Sequence, residues 1–301
     1  MKKEINEIKI FIPTKNRLDN EKTYHLLEKL GLKPFLVIEP QEEEKAKKLG
    51  FRYILLPKNN QGITFARNFI LDTCRKQNIE YACMMDDDIS GFVRMENNKR
   101  VKDTDDCFLE ALEYFINSKM CGTMQYHQFG VFANKYVSFY QNIEVIFFLY
   151  IPSLTNVYFE EDTIEDRDFS LDIVLNHGCK TFRLEQLCFC VPSIGTNKGG
   201  IESDSRAQKQ IYWSNKMQKK WGKEIIKVVV KKNGLTDIRT NWRYVRKLVE
   251  NKNTLSDAIK YTQSLLFNVD YSKEKEPEKE ILPKQLQLDF MNNLDMLKVQ
   301  S

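Results

Sequence analysis

Apolar runs of four to seven residues alternate with amphipathic stretches over roughly the first 90 residues of the chain. Runs of this length that end at proline or at charged residues are typical of buried strands, and apolar positions spaced three and four apart are typical of helices. The pattern predicts strands at residues 9–13, 34–40, 51–57 and 81–85, and helices at residues 21–30, 42–49 and 65–75. This alternation favours an α/β fold with a doubly wound, mostly parallel sheet.

The remainder of the chain has a less regular pattern. Amphipathic spacing predicts helices at residues 105–117 and 162–176, and the aromatic and β-branched residues at 125–151 predict antiparallel strands. A further strand is predicted at 180–192. The glycine-rich segment 195–200 that follows is either a lid over a phosphate group or a plain linker. The charged, apolar-free segment 272–280 is typical of disorder.

The composition is that of a globular protein, since 42% of the 301 residues are hydrophobic and 29% are charged. The longest strongly apolar run, residues 145–151, is too short to span a bilayer. Residues 1–7 lack the apolar core of a signal peptide, and the seven cysteines include no Cys-x-x-Cys pair. These features predict a cytoplasmic protein with free thiols and argue against a disulfide framework or a zinc site.

The net charge of +4 conceals an uneven distribution. Residues 206–250 contain 13 lysines and arginines against 3 acids, so this segment has a net charge of +10 and the rest of the chain has −6. Such a segment indicates a surface for a polyanion, although charge runs more often form a solvated helix face. Trp213, Trp221, Trp242 and Tyr244 lie among these charges, which favours nucleic acid. We therefore divide the chain into an α/β domain at 1–205, a basic and mainly helical extension at 206–270, and a linker and tail at 271–301.

The predicted strand at 81–85 ends abruptly in Asp86, Asp87 and Asp88. Adjacent carboxylates repel one another, and the burial of an unpaired carboxylate is unfavourable. A divalent cation between them removes that repulsion, and oxygen ligands suit Mg²⁺ or Mn²⁺, which usually carry substrate phosphates as well. These residues alone leave two possibilities open, a metal–phosphate site and a solvated acidic turn.

Polar residues also follow other predicted strands. Thr14 comes directly after the first strand and Glu39 ends the second, as Asp86 follows the fourth. In parallel sheets the carboxyl ends of the strands lie at one edge, and ligands bind there. This convergence favours the metal–phosphate site.

Four motifs, in this order, resemble those of glycosyltransferases with the GT-A fold, above all those of family 2. Pro13-Thr-Lys-Asn-Arg17 resembles the Pro-Thr-x-Asn-Arg segment after the first strand of those enzymes, and Gly62-Ile-Thr-Phe-Ala-Arg-Asn68 resembles their Gly-x-x-x-Ala-Arg-Asn helix start. Asp86-Asp-Asp88 resembles the Asp-x-Asp metal motif. Glu165-Asp-Arg-Asp-Phe169 resembles the Glu-Asp pair that supplies the catalytic base. The resemblance covers roughly residues 8–200.

The resemblance implies a metal site and a catalytic base. Asp86 and Asp88 are the expected ligands of Mn²⁺ or Mg²⁺, and Asp86 and Asp87 are expected beside the nucleotide phosphates. Asp166, paired with Glu165, is the expected general base that deprotonates the acceptor hydroxyl. The alternative for Asp166 is an acid that merely stabilises a helix N-terminus.

The resemblance also implies a nucleotide pocket. Arg67 is expected either to contact the diphosphate or to orient the acids, with a surface helix position as the alternative. Glu39 is expected to bind the base or ribose, with a plain strand-end charge as the alternative. The remaining pocket residues are expected to be Pro13, Thr14 and Arg17.

A narrower resemblance is to the phage glycosyltransferases that modify hydroxylated DNA bases, the TET/JBP-associated type. It lies in the Glu-Asp-Arg-Asp-Phe motif, the Val-Ile-Glu-Pro second strand and the basic extension. It implies a UDP-sugar donor, an inverting transfer, a hydroxymethyl or hydroxy pyrimidine acceptor in phage DNA, and a place in the host cytoplasm. Two alternatives stay open. One is a glycosyltransferase with a glycan, lipid or protein acceptor, and the other is a DNA- or clamp-binding protein with an inactive GT-A fold.

The tail contains a separate motif. Gln285-Leu-Gln-Leu-Asp-Phe290 resembles the peptide by which bacterial replication proteins bind the sliding clamp, with Gln285, Leu286, Leu288 and Phe290 as the contact residues. A linker that presents a short apolar segment suits such docking and would raise the local concentration of the protein at DNA. The alternative is an amphipathic helix, because Leu282, Leu286 and Phe290 lie four residues apart.

Overall fold

The computed structural model describes residues 5, 7–101, 105–160, 163–192, 203–231 and 236–250. The chain divides into two compact units, Met1–Glu202 and Ser203–Ser301. The glycine-rich segment 195–200, the charged segment 272–280 and the clamp-like peptide 285–290 lie outside the described residues. Within those ranges, no helix combines the length and the apolar character needed to cross a membrane.

A ten-stranded sheet forms the centre of the first unit. Its strands are β1 (Lys9–Pro13), β2 (Phe35–Ile38), β3 (Tyr53–Leu55), β4 (Tyr81–Met85), β5 (Gly91–Glu96), β6 (Lys99–Arg100), β7 (Gly122–Tyr126), β8 (Val137–Phe139), β9 (Ile146–Tyr150) and β10 (Phe182–Cys190). They lie in the order β3-β2-β1-β4-β9-β7-β10-β5-β6, with β8 paired to β10 outside this path.

The strand directions bring several carboxyl ends to the same edge of the sheet. β1 pairs in parallel with β2 and β4, and β2 pairs in parallel with β3. β9 is antiparallel to both β4 and β7, so β7 runs in the direction of β4. β10 pairs in parallel with β7, whereas β5 and β8 are antiparallel to β10. The fold is therefore a mixed α/β sheet in which most strands run in one direction.

Helices pack on this sheet through their apolar sides. They are α1 (Lys22–Lys29), α2 (Glu43–Leu49), α3 (Gly62–Lys76), α4 (Cys107–Ser118), α5 (His127–Gly130) and α6 (Glu165–Leu175). Beneath α4, Phe108 stacks on Phe92 of β5 with ring centroids 4.4 Å apart, and Phe115 stacks on Phe148 of β9 at 5.2 Å. All four rings are buried. Each contributes about 2 kcal/mol of hydrophobic stabilisation, which fixes β5 and β9 in the sheet.

The first half of this unit is close to the prediction from sequence. Each predicted strand and helix up to residue 85 is present, with ends that differ by at most three residues. The prediction for residues 125–151 is only partly right. β8 is antiparallel to β10 and β9 is antiparallel to β4, as predicted for this range. However, β7 overlaps the range and pairs in parallel with β10, and the short helix α5 follows it. The β5–β6 hairpin was not predicted, because Arg94 and Glu96 interrupt the apolar pattern of β5.

The second unit contains two helices and a hairpin. α7 (Ser203–Trp221) packs against the antiparallel strands β11 (Ile226–Val230) and β12 (Thr236–Thr240), and α8 (Trp242–Glu250) follows. The described part of this extension is mainly helical, as predicted, but the hairpin between the two helices was not predicted. The hairpin forms because Ile226-Lys-Val-Val-Val230 is rich in β-branched residues, which favour extended backbone. Ile226 and Ile238 of the hairpin are buried, as are Met217 and Trp221 of the helix that packs on it.

Candidate active site

Three of the predicted site residues lie at one edge of the sheet. Thr14 follows β1, Glu39 follows β2, and Asp86 follows β4. Because these strands are parallel neighbours, the three residues emerge side by side. The sequence argument for convergence at the carboxyl ends holds for the backbone. The side chains differ in what they contact.

The backbone of the acidic segment is held on both sides. The N–H of Asp86 donates to the carbonyl of Val145 at 3.0 Å, and the hydroxyl of Thr23 donates to the carbonyl of Asp86 at 2.7 Å. The same hydroxyl accepts the N–H of Ile89 at 2.9 Å. Thr23 is fully buried in the first turn of α1, so one side chain fixes both ends of the acidic turn.

Val145, which accepts the Asp86 N–H, has an unusual conformation. Its φ is +65°, and the N–H of Ile146 donates to the carbonyl of Glu144 at 2.7 Å across it. A hydrogen bond over three residues with positive φ at the centre is a strained γ-turn, and a β-branched residue is unfavourable there. Such strain persists where the surrounding structure imposes it, and functional sites are common locations.

The three consecutive aspartates point in different directions. Asp87 is buried and lies 2.8 Å from the Thr14 hydroxyl and 2.5 Å from the Arg17 guanidinium. The side chains of Asp86 and Asp88 are 38% and 30% exposed, so these two carboxylates are only partly buried. The middle acid is thus turned inward, while its two neighbours stay partly exposed and lie near different arginines, Arg67 for Asp86 and Arg17 for Asp88.

Asp86 and Asp88 fit a divalent cation that brings most of its own ligands. Within the described ranges, no group of three histidine, cysteine, aspartate or glutamate side chains could hold a metal ion by itself. Mg²⁺ is characteristically held by one or two carboxylates together with water and substrate phosphates. Two partly exposed carboxylates at a strand end meet that requirement, and the remaining coordination positions would belong to water and a diphosphate.

Arg67 connects the acidic segment to α6. Its Nη2 donates to Asp86 Oδ1 at 3.1 Å, and its Nη1 donates to Glu165 Oε1 at 2.8 Å. Its guanidinium carbon lies 4.5 Å from the centre of the Phe147 ring, and the side chain is only 6% exposed. Arg67 thus contacts the acids from a buried position, and its expected contact with the diphosphate stays a prediction.

Burial and mutual repulsion raise the pKa values of these acids. Burial raises the pKa of Asp86 to about 7; Arg67 opposes the rise, and Asp88, Asp87 and Glu165 add to it. The pKa of Glu165 is also raised, first by burial and then by the charge of Asp166, again against Arg67. A divalent cation would oppose these rises, because positive charge favours the ionised carboxylate.

Asp166 lies in the first turn of α6, next to Glu165. Its side chain is half-buried, and its Oδ1 accepts the N–H of Arg167 at 2.7 Å. The Ser170 hydroxyl donates to its backbone carbonyl at 2.7 Å. The helix N-terminus favours a carboxylate here, so both interpretations of Asp166, a helix-capping acid and a general base, are compatible with its position.

Thr14 takes part in a buried chain of polar groups. Its Oγ1 lies 2.5 Å from Glu21 Oε1 and 2.8 Å from Asp87 Oδ2. One hydroxyl proton cannot serve two carboxylates. Burial raises the pKa of Glu21 to about 8, so at neutral pH Glu21 donates to Thr14 and Thr14 donates to Asp87. Arg17 completes the chain by its ion pair with Asp87.

Glu39 is occupied by the loops around it. Its Oε1 accepts the Lys15 ammonium at 3.0 Å and the N–H of Asn60 at 2.7 Å, and its Oε2 accepts the Gln41 amide at 2.8 Å. These contacts tie together the segments that follow β1, β2 and β3. The expected contact of Glu39 with base or ribose stays a prediction, as do those of Pro13, Thr14 and Arg17 with the nucleotide.

The Ala-Arg-Asn motif has a clear structural meaning. Ala66 is buried in α3, Arg67 bridges Asp86 and Glu165, and Asn68 exchanges two hydrogen bonds with the backbone of Phe159, at 2.8 and 2.9 Å. Phe159 in turn stacks on Phe169 of α6 with ring centroids 4.1 Å apart. The motif therefore holds α6, and with it Glu165 and Asp166, beside the acidic segment.

Three site residues were not predicted from the sequence: Glu21, Thr23 and Tyr126. Glu21 and Thr23 lie in the predicted first helix. The only sequence signal was a glutamate and a threonine on its apolar side, and the structure shows both to be buried. Tyr126 ends β7 at the same edge of the sheet as Asp86. Burial raises its pKa, and the charges of Glu144, Asp166 and Asp86 raise it further.

The sheet order and the acids at the carboxyl ends define a nucleotide-sugar-binding α/β domain of the GT-A type. The chain belongs to the TET-associated glycosyltransferases, since the model of that family matches residues 8–200. The protein is therefore a glycosyltransferase that uses a nucleotide-sugar donor. No curated protein matches the chain by sequence.

Solved structures are similar to this chain only at the level of a loose fold likeness. A protein named as a nucleotide-diphospho-sugar transferase from Desulfovibrio desulfuricans G20 matches with 8% identity and a TM-score of 0.38, over 60% of this chain and 80% of its own. The CMP:2-keto-3-deoxy-manno-octonic acid synthetase complexed with CTP matches with 11% identity and a TM-score of 0.38, over 67% of this chain and 95% of its own. At these TM-scores the likeness supports no argument about function.

Proposed function

We propose that this glycosyltransferase moves a sugar from a UDP-sugar, with Mn²⁺ or Mg²⁺, to the hydroxyl of a hydroxymethyl or hydroxy pyrimidine in DNA, with inversion at the anomeric carbon. The arrangement of Asp86, Arg67 and Glu165 carries the proposal. One buried guanidinium holds a strand-end carboxylate and the acidic start of α6 on either side of it. Such an arrangement would bring the proposed phosphate-binding group and the proposed base into one site.

Each acid has a defined task in this proposal. Asp86 and Asp88 would hold the cation, which neutralises the leaving diphosphate. Asp166 would remove the proton of the acceptor hydroxyl as its oxygen attacks the anomeric carbon. Glu165, held by Arg67, would fix the position of Asp166, and the transition state would have oxocarbenium character.

The second unit supports a polyanionic acceptor. Its described side chains include exposed Lys219, Lys223 and Lys227, and Lys220 lies 4.9 Å from the centre of the Trp221 ring. Lysines that contact phosphates position DNA without reading its sequence. A DNA acceptor would therefore be held by this unit, and the modified pyrimidine would be selected elsewhere.

The decisive experiment separates donor, metal and acceptor. Release of UDP is measured for a panel of UDP-sugars with Mn²⁺, Mg²⁺ or EDTA, and nucleosides from DNA incubated with each sugar are analysed by mass spectrometry. We expect metal-dependent UDP release and a glycosylated pyrimidine, both lost in Asp86→Ala and Asp166→Asn. Wild-type turnover in either variant would contradict the assigned site. If DNA stays unmodified while an oligosaccharide is glycosylated, the acceptor is a glycan and not DNA.

The tail peptide adds a proposed partner. Gln285, Leu286, Leu288 and Phe290 would bind a bacterial sliding clamp and keep the enzyme at replicating DNA. Fluorescence anisotropy of a labelled peptide spanning residues 280–295 with purified clamp tests this contact. Leu286→Ala with Phe290→Ala should abolish the binding, whereas Gln287→Ala should retain it. Equal binding by all three peptides would exclude the specific contact.

A further inference from the structure

The segment after β7 carries aromatic side chains that the core does not use. Among the phenylalanines that the structure describes, only Phe129 and Phe132 are exposed, at 52% and 79% of their surface. They lie in and directly after α5, and the N–H of Phe132 donates to the carbonyl of Phe129 at 3.0 Å. Single exposed apolar residues are ordinary, but two neighbouring rings beside a site need an explanation.

Gly130 and Val131 of this segment face the protein interior. A Cβ on Gly130 would clash with the Cys188 sulfur and the Met95 side chain, so α5 lies directly against β10 and β5. Val131 packs against the buried cluster of Val93, Met95 and Cys188. The segment is thus anchored through Gly130 and Val131, and its two phenylalanines remain outside.

Tyr126 joins these rings to the candidate active site. Its ring centroid lies 6.2 Å from that of Phe129, edge to face, and 4.5 Å from that of buried Phe189. β7 runs in the direction of β4, so Tyr126 emerges at the edge that carries Asp86. The side chain of Tyr126 is half-buried and therefore still reachable from solvent.

We propose that Phe129 and Phe132, with Tyr126 at their inner end, form the acceptor subsite on which the planar base that carries the acceptor hydroxyl stacks. This inference rests on the function proposed above. Every nucleobase has a flat face that aromatic side chains bind without sequence preference. The Tyr126 hydroxyl would orient the acceptor oxygen toward Asp166.

The charge of the segment favours a base on a phosphate backbone over other flat ligands. Residues 126–135 contain no acid, although several carboxylates lie at this edge of the sheet. Lys135 is exposed, and the amides of Gln128 and Asn134 are exposed beside the rings. Amides suit hydrogen bonds with base edges, and the absence of acids lets phosphates approach. A sugar ring could also stack here, and the experiment separates the two.

The test measures binding of a short single-stranded oligonucleotide with one 5-hydroxymethylcytosine, by fluorescence anisotropy at several salt concentrations. The double variant Phe129→Ala/Phe132→Ala should raise Kd about ten-fold, because each base–aromatic stack contributes at least a several-fold factor. The slope of log Kd against log salt should not change, since no phosphate contact is lost. In the Phe129→Ala background, tryptophan at position 132 should restore part of the affinity that the double variant loses. Tyr158→Ala removes an exposed ring on another loop and should bind as wild type.

An abasic oligonucleotide separates stacking from backbone contacts. Wild type and double variant should bind it equally, and a weaker affinity of the double variant for it would overturn base stacking. With DNA and a UDP-sugar, Tyr126→Phe should lower kcat several-fold with little change in KM, and a change in KM alone would refute its orienting role.

The remaining outcomes distinguish this inference from the proposed function. If wild type glycosylates DNA and the double variant binds and transfers equally well, only the stacking subsite is wrong. If wild type glycosylates an oligosaccharide and leaves DNA unmodified, the DNA acceptor fails, and the base-stacking subsite fails with it.

Discussion

Arg67 and Glu165 form an ion pair at 2.8 Å although 98 residues separate them in the chain. The pair joins the start of α3 to the start of α6, two helices on which the expected donor and acceptor chemistry depend. Because Arg67 is nearly fully buried, the pair is shielded from solvent. Removal of one partner would leave an uncompensated buried charge, which is strongly destabilising.

Replacement of Arg67 by methionine should therefore weaken both stability and catalysis. We expect a loss of about 3 kcal/mol in the free energy of unfolding, measured by urea denaturation. Arg67→Lys should retain charge but lose activity, because one ammonium group does not reproduce the two-pronged contact with Asp86 and Glu165. Arg52→Met is the matched control, since Arg52 lies 4.3 Å from the Phe35 ring but is exposed. Equal losses in both methionine variants would contradict the bridging role.

The inward direction of Asp87 predicts that the three aspartates respond differently to substitution. If Asp86 and Asp88 hold the cation as proposed, Asp86→Asn and Asp88→Asn should each lower kcat by at least about 100-fold, since each would remove a carboxylate ligand. Asp87→Asn should mainly lower the unfolding midpoint, because its partners are Thr14 and Arg17. Steady-state kinetics and thermal unfolding compare the three variants, and calorimetric titration of UDP in the presence of Mn²⁺ compares their nucleotide affinities. Loss of nucleotide affinity in Asp87→Asn at unchanged stability would place Asp87 in the pocket instead.

The sequence predicted the strand ends well but not the contacts made there. Proline and charged residues terminate β1 and β2, and the acids terminate β4, so local pattern was sufficient for those boundaries. The separate directions of Asp86 and Asp87 depend on Thr23 and Val145, which contact the turn from elsewhere in the chain. Such contacts have no signature in the local pattern of the acidic segment.

β7 and α5 illustrate a second limit of prediction. The aromatic and β-branched character of residues 125–151 indicated strands correctly for β8 and β9. It gave no information on the partner of β7, because strand order depends on crossover connections between distant segments. The exposure of Phe129 and Phe132 could not be predicted from the sequence either, since apolar residues in such a run are expected to face the core.

The chain of Glu21, Thr14 and Asp87 predicts a pH dependence of stability. The pKa of Glu21 in the folded protein is about 8, above its ordinary value of 4.5. Between these values the folded state binds a proton that the unfolded state has lost, so stability falls as pH rises, by at most about 1.4 kcal/mol per unit. Below pH 4.5 both states hold this proton, and above pH 8 neither does, so the contribution is constant outside the interval.

Glu21→Gln tests this sign. Glutamine keeps a donor for Thr14 but cannot ionise, so the variant should gain stability relative to wild type as pH rises from 5 to 8. Urea unfolding at both pH values provides the measurement, and Glu44→Gln, which changes an exposed glutamate on α2, is the control. Parallel pH profiles for wild type and Glu21→Gln would mean that Glu21 is ionised in the folded protein.

The basic second unit predicts a salt-dependent, sequence-independent affinity for DNA. Within this unit Lys231 pairs with Asp237 at 2.7 Å, and Lys232 lies outside the described residues. Lys219, Lys223 and Lys227 are exposed, and we therefore choose them for substitution. Their replacement by glutamate should weaken binding of all DNA sequences.

The same triple variant should also flatten the plot of log Kd against log salt concentration, because fewer counterions are released on binding. Each lost phosphate contact lowers the slope by about 0.9 for duplex DNA and about 0.7 for single strands. Glutamate at Lys33, Lys48 and Lys76, which are exposed in the first unit, gives the same change in net charge. If this control variant lowers affinity and slope as much as the first, the effect comes from overall charge, and the second unit is not the DNA-binding surface.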